Sequence, residues 1–136
     1  MAVEQPSRLR ALVVVSDFFF SSRIITVAKQ VGIESEIVLD PSLLAGKISA
    51  APSLMILDLN QSAPEPVGLI QALKADLSTR TTQIIGFISH VQHQRRREAE
   101  KAGCDLILPR SVFSQNLADL LIQKSCHLED FPDTVT

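Results

Sequence analysis

Five short apolar runs, each bounded by polar residues, constrain the fold of this chain more than any other feature of its sequence. They lie in the segments RLRALVVVSD, SEIVLD, SLMILDL, QIIGFIS and CDLILP. Short continuous runs rich in valine, isoleucine and leucine are typical of strands that are buried on both faces of a sheet. The sequence therefore predicts five strands.

The segments between these runs have the spacing of helices. The predicted helices are 21–31, which Gly32 ends, a short one at 41–48, VGLIQALKADL, HQRRREAEKAG closed by Gly103, and 111–124. Strands that alternate with helices form a parallel sheet with helices on both faces. Right-handed crossovers leave few topologies, and the flavodoxin-like order 2-1-3-4-5 is the commonest at this length.

Length and composition predict one soluble cytoplasmic domain. The chain has 136 residues and a net charge of -2, which argues against a surface for nucleic acid or membrane. Its two cysteines fit a reducing compartment, and the apolar run ALVVV is too short for a signal peptide or a membrane span. We expect a domain at 1–125 and a frayed tail at 126–136, where no periodicity is visible.

Polar side chains follow four of the predicted strands. These are Asp17, Asp58, Ser89 and the LPRS turn at 108–111. A single aspartate after a strand is usually no more than a cap on the next turn. Because the carboxyl ends of parallel strands meet at one edge, four such segments indicate a functional site there.

This ordered set resembles the receiver domain of bacterial response regulators (CheY-like proteins), over roughly residues 8 to 125. The motif VVVSDFFFSSRI matches the family's acidic pair after the first strand, at Ser16 and Asp17. The motif ILDLN matches the phosphoacceptor segment, and GFISH offers a hydroxyl after the fourth strand. The resemblance implies that Asp58 accepts a phosphoryl group, with Ser89 and Arg110 assisting.

The resemblance also implies a Mg²⁺ site formed by Asp17, Asp58 and the backbone carbonyl of Asn60. Serine replaces one acid of the family's pair at Ser16, which lowers the local negative charge and should weaken the ion's binding without forbidding it. The sequence therefore resembles an atypical, partly degenerate receiver.

Two further departures lie near the fifth strand. Arg110 stands where the family has lysine, and Ile107 stands at the position of the family's switching aromatic residue. The planar guanidinium of arginine favours a grip on a carboxylate. Arg110 is therefore expected to bridge Asp58 or Asp17, which would replace the metal ion and fix one conformation.

Other kinds of site find less support in the sequence. The glycines form no nucleotide-binding motif, so neither a nucleotide nor a flavin is expected, and no catalytic nucleophile motif is present. A zinc site at His90, His93 and Cys104 would lack a fourth ligand. The arginines at 95–97 are followed by acidic residues, which is typical of a solvated helix face. Of Phe18, Phe19 and Phe20, one or two are expected to be buried, and an exposed one could contact a partner.

The expected function is that of a stand-alone receiver domain in two-component phosphorelay signalling, and not that of an enzyme. It would act through a sensor kinase or another signalling protein in trans, or as a homodimer through helix 4, strand 5 and helix 5, roughly residues 91–121. One alternative is an interaction module of the same fold that works without phosphorylation (a pseudo-receiver). Another is a flavodoxin-like binder of small phosphorylated molecules.

Overall fold

A five-stranded parallel sheet carries helices on both faces in the computed structural model, which describes residues 10–89 and 92–124. The strands are β1 (Arg10–Val14), β2 (Glu34–Ile37), β3 (Leu54–Asp58), β4 (Gln83–Ile88) and β5 (Leu106–Pro109). The helices are α1 (Phe18–Gln30), α2 (Pro41–Ser49), α3 (Pro66–Ala75), α4 (His93–Ala102), α5 (Arg110–Gln115) and α6 (Leu117–Lys124). The strand order β2-β1-β3-β4-β5, with every neighbouring pair parallel, confirms the predicted fold.

The sheet separates two hydrophobic layers, because successive side chains of a strand point to opposite faces. Residues of α1, α5 and α6 pack on one face, against Val13, Ile56 and Phe87. Residues of α2, α3 and α4 pack on the other, against Leu12 and Met55. All five residues of the central strand β3 are buried, as a strand covered on both faces requires.

The register of the strands brings their carboxyl ends to one edge. Val14 lies beside Leu57, Asp58 beside Phe87, and Ile88 beside Pro109. The residues that follow these positions, including Asp17, Ser89 and Arg110, therefore leave the sheet on the same side as Asp58.

The prediction of one helix over 111–124 was wrong, because Asn116 divides that segment into α5 and α6. The side-chain Nδ2 of Asn116 donates to the carbonyl of Val112 at 2.8 Å, and the Asn116 backbone N–H donates to the same carbonyl at 3.1 Å. Asparagine side chains compete in this way with the regular hydrogen bonds of a helix.

The predicted boundary between the domain and its tail is not tested by the structure. The tail at 126–136 lies outside the described residues, so the boundary at 125 stays a prediction. Over the ranges that the structure covers, none of the helices has both the length and the apolar character that crossing a membrane requires.

Candidate functional site

Asp58 is the last residue of β3, and its side chain is nearly enclosed at the carboxyl edge of the sheet. The residue is 6% exposed, which makes it one of few buried charged or polar residues among those described. Its Oδ1 accepts the backbone N–H of Asn60 at 2.9 Å. The turn after β3 therefore holds the carboxylate in a fixed orientation.

Asn60 connects this turn to the end of β4. Its Oδ1 accepts the backbone N–H of Ser89 at 2.7 Å. Ser89 is exposed and follows β4 directly. Asp58, Asn60 and Ser89 are thus brought together, as the sequence predicts, through a side-chain contact that the sequence did not indicate.

Gln61 connects the same turn to the end of β1. It is 7% exposed; its Oε1 accepts the Ser16 N–H at 3.0 Å, and its Nε2 donates to the Val14 carbonyl at 3.0 Å. A buried amide whose oxygen and nitrogen are both used is a specific cross-link between segments far apart in the chain. Sequence reasoning missed Gln61, and its only signal is a long amide side chain close behind a strand end.

Asp17 and Arg110 form an ion pair across the other side of this edge. Asp17 Oδ1 accepts the Phe20 N–H at 3.0 Å, which caps α1, and Asp17 Oδ2 lies 2.9 Å from Nη2 of Arg110. The Phe20 N–H first, and Arg110 second, hold the pKa of Asp17 below its ordinary value. Of the two bridges expected for Arg110, the structure forms the one to Asp17.

The guanidinium of Arg110 also lies over aromatic rings. Its central carbon is 4.4 Å from the ring centre of Phe20 and 5.5 Å from that of Phe87. Phe20 contacts Phe87 edge-on at 4.8 Å, and Phe87 stacks on Phe113 at 5.0 Å. A guanidinium over a ring face is attracted by the ring's quadrupole, so these rings help to position Arg110.

Ser89 and Arg110 line the same groove beside the ends of β4 and β5. The groove has a volume of about 460 Å³, and its other lining residues are Phe20, Ile88, Pro109, Ser111 and Ser114. Ile107, at the position where the related family has its switching aromatic, is 5% exposed and packs within the core instead.

Asp17 is not free to bind a Mg²⁺ ion in the conformation described. Both oxygens of Asp17 have partners, and one oxygen of Asp58 accepts a backbone N–H. Within residues 10–89 and 92–124, no three His, Cys, Asp or Glu side chains are grouped as metal ligands, so a Mg²⁺ ion here would depend on two carboxylates and the Asn60 carbonyl. An ion at Asp17 would have to displace Arg110, so the site at Asp17, Asp58 and Asn60 stays a prediction.

Two other features singled out in the sequence are the candidate zinc ligands and the arginines at 95–97. His90 lies outside the described residues, so the zinc arrangement stays untested, and burial raises the pKa of the Cys104 thiol to about 12. Arg96 pairs with Glu100 on the same helix, as expected for a mixed-charge helix face, and Arg95 pairs with Glu65 at the start of α3.

None of the three consecutive phenylalanines is fully buried, whereas the sequence predicted one or two. Phe18 and Phe19 are 72% and 85% exposed, whereas Phe20 is half-buried. Its contacts with Phe87, Phe113 and Arg110 make Phe20 the member of the run that belongs to the site.

No model of a protein family matches this sequence. No curated protein matches it either. Solved structures, in contrast, match the fold over most of the chain. A chemotaxis response regulator of Vibrio cholerae has a TM-score of 0.74 at 17% identity, covering 86% of this chain and 98% of its own. The receiver domain of a sensor histidine kinase from Pseudomonas aeruginosa, which holds a magnesium ion in its active-site cleft, has a TM-score of 0.73 at 14% identity, covering 87% of this chain and 98% of its own.

A third match is a response regulator receiver domain from Bermanella marisrubri, with a TM-score of 0.68 at 23% identity, covering 82% of this chain and 97% of its own. At these identities the matches show the fold, and that fold is the CheY-like receiver fold that the sequence predicts.

Proposed function

We propose that this chain is a receiver domain of two-component phosphorelay signalling, in which Asp58 accepts a phosphoryl group from a partner protein. The observation that supports the proposal is the placement of Asp58. It is a nearly enclosed carboxylate at the carboxyl edge of a receiver fold, oriented by the Asn60 N–H and neighboured by Ser89.

The proposed reaction transfers a phosphoryl group from the donor to the carboxylate of Asp58. An oxygen of Asp58 attacks the phosphorus of a phosphohistidine or an acyl phosphate, and the donor's P–N or P–O bond breaks as the aspartyl phosphate forms. A histidine leaving group takes a proton from solvent, whereas an acyl phosphate leaves as a carboxylate and needs none. Positioned cations and hydrogen-bond donors stabilise the developing negative charge. Arg110, once released from Asp17, and the hydroxyl of Ser89 are our candidates for these roles.

Labelling with acetyl phosphate tests the proposal. Intact-mass measurement should show the addition of one phosphoryl group to the wild-type protein, and Asp58→Asn should abolish that addition. Asp76→Asn is a matched control, because Asp76 is exposed and caps a turn at Ser78. Labelling that persists in Asp58→Asn would place the acceptor elsewhere.

A phosphorylation-independent interaction module is the second candidate, and the Arg110–Asp17 ion pair favours it. Because Arg110 already pairs with Asp17, this carboxylate needs no cation to neutralise it; the pair is exposed to solvent, so its contribution to stability is small. If no mass shift occurs at high donor concentration, the result would favour the phosphorylation-independent module.

We also propose that the partner is a signalling protein. One structural neighbour is the receiver domain of a sensor histidine kinase, and another is a sensor protein from Polaromonas. A second copy of the chain, contacting through α4, β5 and α5, remains our alternative partner. The molecular mass in solution, measured across protein concentrations, shows whether the chain forms the homodimer.

A further inference from the structure

Asn60 and Gln61 are consecutive in the turn after β3, and their side-chain amides contact the strand ends on opposite sides of β3. Asn60 accepts the N–H of Ser89, which follows β4, and Gln61 contacts Val14 and Ser16 at the end of β1. Asp58 lies between these contacts, at the end of β3. Three strand ends are therefore tied together by side chains of a single turn.

Gln61 makes two of the three hydrogen bonds described above, and both link the turn after β3 to the end of β1. Its amide is buried, and its two hydrogen bonds join residues 45 and 47 positions apart in the chain. A buried backbone acceptor such as the Val14 carbonyl is costly to leave without its partner, whereas the N–H of the exposed Ser16 can turn to water. Without Gln61, the Val14 carbonyl and the Ser16 N–H would need other partners, and the turn that carries Asp17 would lose its tie to the turn that carries Asp58.

Arg110 supplies the positive charge at the same edge. It pairs with Asp17 and rests on the rings of Phe20 and Phe87, so its guanidinium is held from two sides. A cation shared between two segments has two effects: it neutralises carboxylates, and it cross-links the loops that carry its ligands. In this cleft Arg110 neutralises Asp17 and links it to the start of α5, and Gln61 links the turns that follow β1 and β3.

We propose that Gln61 and Arg110 are positioning residues that assemble this cleft without a divalent cation. Gln61 fixes the turn after β1 to the turn after β3, and Arg110 fixes Asp17 to the start of α5. The interpretation of this cleft as a phosphoryl-acceptor site rests on the proposed function. The tests below use no phosphoryl donor, so the two proposals can fail separately.

The first test concerns Arg110 and measures thermal unfolding in EDTA and in millimolar Mg²⁺. The wild-type melting temperature should agree in the two buffers within about 1 °C, because a ligand that does not bind the native state does not shift unfolding. Arg110→Ala frees Asp17, so this variant should melt lower in EDTA and recover by several degrees in Mg²⁺. Arg23→Ala is the matched control, because Arg23 contacts Ser114 and not Asp17.

Two outcomes of the first test would overturn the role of Arg110. One is a wild-type melting temperature that rises by several degrees with Mg²⁺, which would show that the ion binds despite the ion pair. The other is an Arg110→Ala variant that responds to Mg²⁺ no more than the wild type or Arg23→Ala does.

The second test concerns Gln61 and measures amide hydrogen exchange at Ser16. Gln61→Leu keeps the volume of the side chain but neither hydrogen bond. The Ser16 amide should exchange at least about tenfold faster, and the melting temperature should fall by about 5 °C. Gln71→Leu, at an exposed position of α3, is the matched control and should change neither quantity. A lower melting temperature with unchanged protection at Ser16 would leave Gln61 a packing residue only and overturn its positioning role.

Discussion

At the scale of single residues, Asp17 combines two roles that a sequence pattern does not separate. It caps α1 through the Phe20 N–H and neutralises Arg110, with one oxygen for each contact. Because both contacts favour the ionised carboxylate, the pKa of Asp17 lies below its ordinary value of 3.8. Asp17 therefore stabilises the fold above that value, and its contribution is lost as the pH falls through its folded pKa.

Asp17→Asn tests this dependence on pH. Asparagine can still cap the helix, but it carries no charge, so at neutral pH the variant should melt a few degrees below the wild type. The difference should shrink as the pH falls below 3.8. The measurement is the melting temperature of both proteins from neutral to strongly acidic pH. A difference that stays constant over the whole range would show that the charge of Asp17 does not contribute.

Gly86 in β4 is a second position where a single residue decides the packing. A Cβ added there would lie 2.7 Å from Cδ1 and 2.9 Å from Cγ of Leu59, whose side chain is fully buried. Gly86→Ala should lower the free energy of unfolding by about 1–3 kcal/mol, because an enclosed leucine has little room to move.

The control for Gly86 is Gly46→Ala in α2, where an added Cβ meets nothing within 4 Å. Alanine there should stabilise the protein by about 0.5–1 kcal/mol through its helix propensity. Denaturant unfolding compares the two variants. Equal effects would mean that the contact with Leu59 relaxes at little cost.

At the scale of elements, the apolar runs predicted where the strands lie more accurately than the sequence pattern predicted where the helices begin and end. Helix α1 begins at Phe18 and not at Ser21, because Asp17 is its N-cap. The apolar pattern conceals this start, since two of the first three helical residues, Phe18 and Phe19, are exposed. Asn116 divides the last helix for a similar local reason, a side-chain hydrogen bond to the backbone that periodicity does not reveal.

The start of α1 also predicts different roles for its phenylalanines. Phe20→Ala removes ring contacts with Phe87, Phe113 and Arg110, so it should lower the free energy of unfolding by about 2–3 kcal/mol. Phe18→Ala, at a residue that is 72% exposed, should change it by less than about 0.5 kcal/mol. Denaturant unfolding monitored by far-UV circular dichroism measures both, and similar losses would contradict the division.

At the scale of the whole molecule, the fold could be predicted because one pattern, apolar runs alternating with helical segments, permits few topologies. The same topology placed Asp17, Asp58, Ser89 and Arg110 at one edge. The topology does not determine whether Asp17 or Asp58 is the partner of Arg110. It could not indicate Gln61 either, because which side chain bridges two turns depends on their separation in space.

The route of a signal from Asp58 across the molecule depends on which elements can change their arrangement. A local change of charge is transmitted only if it biases an element with two stable arrangements. Ile107 offers no such element at its position, because it is buried in a core cluster with Ile84 and Ala99. Arg110, in contrast, joins the site to α1 through Asp17 and Phe20.

Phosphorylation of Asp58 should therefore draw Arg110 away from Asp17 and loosen the first turn of α1. Amide exchange over residues 18–21 should become several-fold faster, while protection over residues 92–121 changes by less than about twofold. Hydrogen-exchange mass spectrometry of the acetyl-phosphate-treated protein measures both regions, with treated Asp58→Asn as the control. A large change across α4, β5 and α5 with none in α1 would mean that the signal takes the other route, through the strand that carries Ile107.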